Sequence, residues 1–154
     1  MSKDNQKGFS LLEVIVAVFI VAVGLVGILT LANISLRGSS VSKMKLIASG
    51  LAQEGIEVVR DIRRSNTEWD DWYSSISNDD YRVQYNSVNL MSFFETPLKL
   101  DANSGLYQYD SGPATPFQRK VTLEIISADE VKVVVEVKWP DHTLAAEDRL
   151  WNWK

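Results

Sequence analysis

Few residues in this chain are equipped for chemistry, and the one most at odds with its surroundings is Glu13. From Phe9 to Leu36 every other residue is apolar or small and uncharged, apart from Asn33, and no further charge occurs until Arg37. A charge within a bilayer helix costs roughly 2.5 to 3.5 kcal/mol even on the forgiving insertion scale. Glu13 therefore needs either a partner or a place near the headgroups, and four residues from Phe9 is only about 6 Å of helix. Elsewhere the side chains of catalysis are sparse. Cysteine is absent and His142 is the single histidine, in an expected turn where a solvated ring is the simplest reading. Asp70-Asp71, Asn78-Asp79-Asp80 and Asp101-Ala102-Asn103-Ser104-Gly105 offer oxygens, but none has the EF-hand pattern. The last puts its glycine one place early and lacks the closing carboxylate. All three read as turns, and no Gly-rich phosphate loop, nucleophile elbow or paired catalytic carboxylate stands out. No enzyme activity, catalytic residue, metal or cofactor is expected.

The element that must carry Glu13 is a membrane helix. A secretory signal would have an apolar region of about 7 to 15 residues and a small-residue cleavage site beyond it. Here Phe9 to Leu31 exceeds the roughly 20 residues that span the hydrocarbon core. Lys7-Gly8-Phe9-Ser10-Leu11-Leu12-Glu13, a basic leader followed by glycine, aromatic, hydroxyl, two apolar residues and glutamate, resembles the type IV prepilin and pseudopilin superfamily. The resemblance implies cleavage after Gly8 by a membrane aspartyl prepilin peptidase on the cytoplasmic face, and N-methylation of the new terminus at Phe9. It also implies that Glu13 attracts the amino terminus of Phe9 on a neighbouring filament subunit. Unperturbed α-amino groups titrate near about 7.7 to 8, so that partner is mostly cationic at neutral pH.

Helical character continues past the span. Between Val41 and Arg64, Met44, Ile47, Ala48, Leu51, Gly55, Val58 and Ile62 recur mainly at spacings of three and four, one apolar stripe. Lys43, Lys45, Gln53, Glu54, Glu57, Arg60 and Asp61 are assigned to the opposite, wet side. Glu57 with Arg60 and Asp61 with Arg64 can pair at i,i+3, and Ser65-Asn66 ends the pattern. No proline precedes Pro97, so one helix of about 56 residues, roughly 84 Å, is expected from Phe9 to Arg64. Its interior glycines cost about 1 kcal/mol each against alanine. The resemblance implies that such helices can lose helicity in a filament, for which Gly24 with Gly27 is the expected place, and close helix packing in lipid is the alternative use of the same glycines. The block Ala48 to Arg64, ASGLAQEGIEVVRDIRR, is similar to the minor-pilin group called PilV-type, or pilus-modification proteins; the missing proline and cysteines point the same way.

The tail changes period from 3.6 to 2. Tyr81, Val83 and Tyr85 alternate, and Leu106 to Tyr109 offers a short strand. Phe117 to Ile126 and Glu130 to Trp139 flank a hairpin at Ser127-Ala128-Asp129, and Pro140-Asp141-His142 turns into His142 to Trp153. In Val131 to Trp139 the odd-numbered residues are all apolar, with Lys132, Glu136 and Lys138 opposite, so one face is buried and one wet. Trp69, Trp72 and Tyr73, in the connecting loop, are assigned to core packing, and Trp139, Trp151 and Trp153 to sheet packing. The expected class is α+β: a long helix, half membrane-spanning and half amphipathic, packed on an antiparallel sheet.

The chain has 154 residues and a formal charge of -4; loss of the leader, with Lys3, Lys7 and Asp4, leaves about -5. Basic residues are scattered, Arg60, Arg63 and Arg64 being the densest group, and no aromatics alternate with them as a nucleic-acid groove requires. The expected organisation is a cleaved leader at 1–8, a transmembrane part at 9–31, an amphipathic part at 32–64 and a globular β-domain at 65–154. The resemblance implies a single-pass inner-membrane protein with a cytoplasmic N-terminus, later moved into a surface pilus. Its implied partners are major and minor pilins, prepilin peptidase, the inner-membrane assembly platform and membrane lipid. Two alternatives remain open at this point: a type II secretion minor pseudopilin of the I kind, which shares the Leu-Leu-Glu-Val start, and a single-span protein with an independent enzymatic or sensory tail.

Overall fold

The structure is a computed structural model and describes residues 10–152; Gly8, Phe9 and Trp153 lie outside the described residues. α1 is helical from Leu11 to Ser65, and the chain divides into two contact units between Lys43 and Met44. In the first unit every described side chain is exposed. An 18-residue window there reaches a mean hydropathy of 3.1, so the helix is long and apolar enough to cross a membrane. Gly24 and Gly27 are helical in the single chain, with open space where a Cβ would stand. Thr30 donates its hydroxyl to the Val26 carbonyl at 2.9 Å, which satisfies that group within the apolar stretch.

The second unit begins where burial begins. Ala48, Leu51, Ala52, Gly55, Val58, Val59 and Ile62 of α1 are buried, with Met44 and Ile47 partly so. The expected stripe is present and is widened by Ala52 and Val59 into the broader band a helix needs when it covers a sheet. At its end Ser65 Oγ and Asn66 Nδ2 each donate to the Ile62 carbonyl at 2.8 Å, capping acceptors that the helix itself leaves open. The segment expected to be a loop then forms a short helix, α2 (Trp69–Ser74). Its Trp69 and Trp72 are buried, as core packing requires, and Trp69 Nε1 donates to the Ala128 carbonyl at 2.8 Å.

Seven strands follow: β1 (Asp79–Arg82), β2 (Met91–Ser92), β3 (Pro97–Leu100), β4 (Tyr107–Gln108), β5 (Ala114–Ser127), β6 (Glu130–Trp139) and β7 (His142–Trp151). They form one antiparallel sheet built around β5. β6 covers one edge of β5; β1 and β3 share the other, β1 opposite Val121 to Leu123 and β3 opposite Ala114 to Gln118. β7 lies outside β6, beside which Val131, Val133, Val135 and Val137 point into the core. The β6 period read from the sequence is therefore the one observed, and Lys132 on its other face reaches Glu124 at 3.3 Å and Glu147 at 3.6 Å. The β5–β6 turn is Ala128-Asp129 and the β6–β7 turn is Pro140-Asp141, where Asp141 takes a φ of 61°. Aspartate tolerates that left-handed conformation.

Three strand expectations need correction. The Tyr81 to Tyr85 alternation ends at Arg82, because Gln84 N donates to Ser87 Oγ and Ser87 N to the Gln84 carbonyl, both at 2.9 Å, folding the chain into a turn. Tyr85 is consequently exposed. Trp151 is 43% exposed and does not pack into the sheet, whereas Trp139 is half-buried against Phe117 with ring centroids 6.2 Å apart. β2 and β3 are additional, too short for a period to register, and β3 starts on Pro97, a strand's first position being one that proline tolerates.

One glycine fixes a close approach. Gly112 has a φ of 104°, and a Cβ there would lie 2.3 Å from the Leu100 carbonyl oxygen, beside the bond from Leu100 N to the Pro113 carbonyl. Gly112→Ala should therefore destabilise the protein by about 1 to 3 kcal/mol, read as a lowered urea midpoint with unchanged slope.

Candidate functional site

Glu13 lies in the first turn of α1. Its N–H and that of Val14 donate to the Ser10 carbonyl at 2.9 and 3.3 Å, so the helix is wound at this point. A carboxylate at a helix start is favoured by the macrodipole, which offsets part of its cost in lipid. Among the described residues no cation pairs with Glu13. Around it Leu11 (80% exposed), Leu12, Val14, Ile15 and Val16 are presented outward without any covering side chain. Such a helix can do two things: dissolve in lipid, or pack laterally on similar helices.

The second arrangement holds the amphipathic half of α1 to the sheet, and sequence reasoning missed its key residue. Arg119 of β5 has a side chain of zero exposure. Its Nη1 donates to the Leu51 carbonyl at 3.0 Å and to Glu54 Oε1 at 2.9 Å, and its Nη2 to the Val83 carbonyl at 2.6 Å. One guanidinium thus joins helix, sheet and the turn after β1, while its Nε finds no partner. Gly55 makes the approach possible: a Cβ there would lie 2.8 Å from Val135 Cγ1 and 3.3 Å from Arg119 Cδ. Leu51 and Gly55 are one helical turn apart, so the missing side chain opens the path to the Leu51 carbonyl. Glu54, assigned to the wet side of the helix, is half-buried as the partner of Arg119. Farther along, Arg60 Nη2 meets Asp148 of β7 at 2.7 Å, a hydrogen bond that holds its guanidinium above the ordinary pKa. The expected Glu57–Arg60 and Asp61–Arg64 pairs are both present.

A signal for Arg119 was available. Period two along β5 sets Phe117, Arg119, Val121 and Leu123 on one face, so an arginine stands at a core position of a strand that was itself read correctly. The remaining candidates are dispersed. His142 opens β7 beside Trp139, ring centroids 5.4 Å apart. Asp70 and Asp71 are exposed on α2, and Asn78 Oδ1 accepts from Ile125 N while Asp80 accepts from Thr122. Asp101 accepts from Asn103 N and Ser104 Oγ within its own turn, bonds that hold its carboxyl below the usual range. Each acidic group is thus engaged in local structure or solvated, and none converges with His142.

Residues 3–29 match the family described as the Prokaryotic N-terminal methylation motif. That stretch contains Gly8, Phe9 and Glu13 and most of the apolar helix. Neither a curated protein nor a solved structure matches the chain. A type IV prepilin-like methylation motif running into an exposed apolar helix, followed by an amphipathic helix on an antiparallel sheet, makes this chain pilin-like in its N-terminus and in its α+β arrangement.

Proposed function

We propose that the chain is a non-enzymatic minor pilin of the PilV type, processed by prepilin peptidase and built into, or priming, a pilus that serves assembly, adhesion or motility. The observation that carries this reading is the methylation motif over residues 3–29 running into a helix whose apolar side chains are all exposed as far as Val41. Gly8 is a substrate residue of the peptidase, Phe9 becomes the methylated terminus, and Glu13 acts in filament assembly. Other major and minor pilins are its partners, with the inner-membrane assembly platform and membrane lipid. The globular unit lies outside the cytoplasm, first at the inner membrane and then on the surface filament.

Two measurements test it. N-terminal sequencing and mass of the membrane-extracted protein should give a terminus at methylated Phe9; a terminus at Met1 or Ser2 in a host with active prepilin peptidase would sink the reading. A bulky replacement such as Gly8→Leu should block processing almost completely, leaving precursor mass, and a normal mature mass would refute the role of Gly8. Recovery in sheared surface filaments separates a pilus subunit from one confined to a periplasmic pseudopilus.

A further inference from the structure

We propose that the free edge of β7 takes up an extended, acidic strand from an unlike subunit, which adds an eighth strand to the seven-stranded sheet beside α1. The inference rests on the assembly reading above for the source of that strand, while the edge itself is testable without it. Among the described residues β7 pairs with β6 alone, residue for residue from His142 to Trp151 and without a bulge. Asn152 N donates to the Asp129 carbonyl at 3.0 Å, which sets the phase of that ladder. Hydrogen-bonded pairs alternate with non-bonded ones in an antiparallel ladder. Leu144, Ala146, Asp148 and Leu150 therefore turn their backbone groups toward β6, and Thr143, Ala145, Glu147, Arg149 and Trp151 turn theirs away.

All five of the latter are exposed, and the edge they form runs about 27 Å. The edges at β2 and β4 have two residues each. Shortness blunts an edge, as do proline, lysine and bulges, and β7 has none of these. An inward charge is a further guard, but Asp148 meets Arg60 at 2.7 Å and is neutralised by it. Unpaired backbone groups on a long regular edge bind an extended segment, with main-chain bonds giving affinity and the sites of alternate side chains giving specificity.

Those sites are open here. The amphipathic half of α1 runs beside β7 without closing on it, leaving two hollows on either side of the Arg60–Asp148 bridge. One of about 370 Å³ lies between Glu57 and Glu147, and one of about 320 Å³ between Arg63, Arg64 and Trp151. Every second side chain of an added strand points into them. Charge selects the occupant. Arg60 and Arg64 have carboxylate partners, whereas Arg63 pairs with none among the described residues and lies with its guanidinium carbon 5.3 Å from the centroid of the Trp69 ring. Stacking holds the guanidinium plane and leaves its edge donors to meet a carboxylate side-on. A second β7 brings only Asp148 inward, and Arg60 already holds it, so the acidic strand comes from a different chain. One free edge filled by an unlike neighbour suits a subunit that does not repeat along the filament.

The test uses the full-length chain in detergent micelles and the peptide acetyl-TVEVEVT-amide. At saturation, hydrogen exchange of the β7 amides should slow by about tenfold or more. The same peptide N-methylated throughout keeps its charge but loses its edge donors, and should give no protection. Acetyl-TVKVKVT-amide should bind at least tenfold more weakly than the acidic peptide, and Arg63→Glu should reverse that preference, which only a folded chain can do. In cells, Ala145→Pro removes an outward N–H where an edge strand tolerates proline; recovery in sheared filaments should fall about tenfold or more, with the N-terminus still processed. Protection by the N-methylated peptide would reduce the site to anion adsorption, and a concentration-dependent dimer abolished by Ala145→Pro would make a second copy the occupant. Either result, unprotected β7 at millimolar acidic peptide, or normal recovery of Ala145→Pro in filaments would overturn the proposal. An unprocessed wild-type N-terminus would overturn the assembly reading and leave the peptide result standing.

Discussion

Arg119→Met should lower the stability of the folded unit by about 3 to 5 kcal/mol. Removing one partner of a buried ion pair leaves the other uncompensated, and here three acceptors lose their donor at once: Glu54 and the carbonyls of Leu51 and Val83. The Leu51 carbonyl keeps its helical bond, so the heavier losses fall on Glu54 and Val83. Methionine fills much of the stem's volume, which separates loss of hydrogen bonds from loss of packing. Urea unfolding of the detergent-solubilised chain, followed by tryptophan emission, measures the change; a shift under about 1 kcal/mol would show that the clamp is replaceable by apolar packing. Glu54→Gln should have a smaller effect, because the amide oxygen can still accept from Arg119. Gly55→Val tests the same junction from the helix side and should destabilise by about 1 to 3 kcal/mol through overpacking against Val135, despite the gain in helix propensity.

The long helix and the β5–β6–β7 meander were legible because each repeats its period many times. α1 carries one stripe over five turns of its amphipathic half, and every odd position from Val131 to Val137 is a buried valine. Of the other edges, only β4 was legible, in Leu106 to Tyr109. β2 and β3 have two and four residues, set by pairing with longer neighbours, and α2 is a helix because Trp69 and Trp72 have a core to enter, not because six residues favour helix alone. Glu54 was misplaced for a related reason: polarity was read as exposure, whereas the buried arginine opposite it turned polarity into an interior contact. Helical and strand periods name faces, but they do not pair a charge on one element with a charge on another that is 65 residues away.

Glu13→Ala should leave peptidase cleavage and membrane insertion intact while lowering recovery in sheared filaments by about tenfold or more. Insertion should not fall, since the change removes a charge from an apolar helix whose neighbouring residues are all exposed. The proposed cleavage follows Gly8, three positions before α1 begins at Leu11 and five before Glu13. On the proposed assembly, what the alanine removes is a charge-assisted bond to the amino terminus of a neighbouring Phe9, worth about 1.5 to 3 kcal/mol, or roughly one to two decades in an equilibrium. Glu13→Gln distinguishes charge from hydrogen bonding: it keeps the side chain's length and an acceptor, so an incorporation defect close to that of alanine would assign the effect to the charge. Immunoblots of the filament and membrane fractions give the ratio directly. Equal recovery of mutant and wild type in filaments would leave the carboxylate as an interfacial group that snorkels to the headgroups, and would take the assembly role away from Glu13 while leaving the processing of Gly8 and Phe9 untouched.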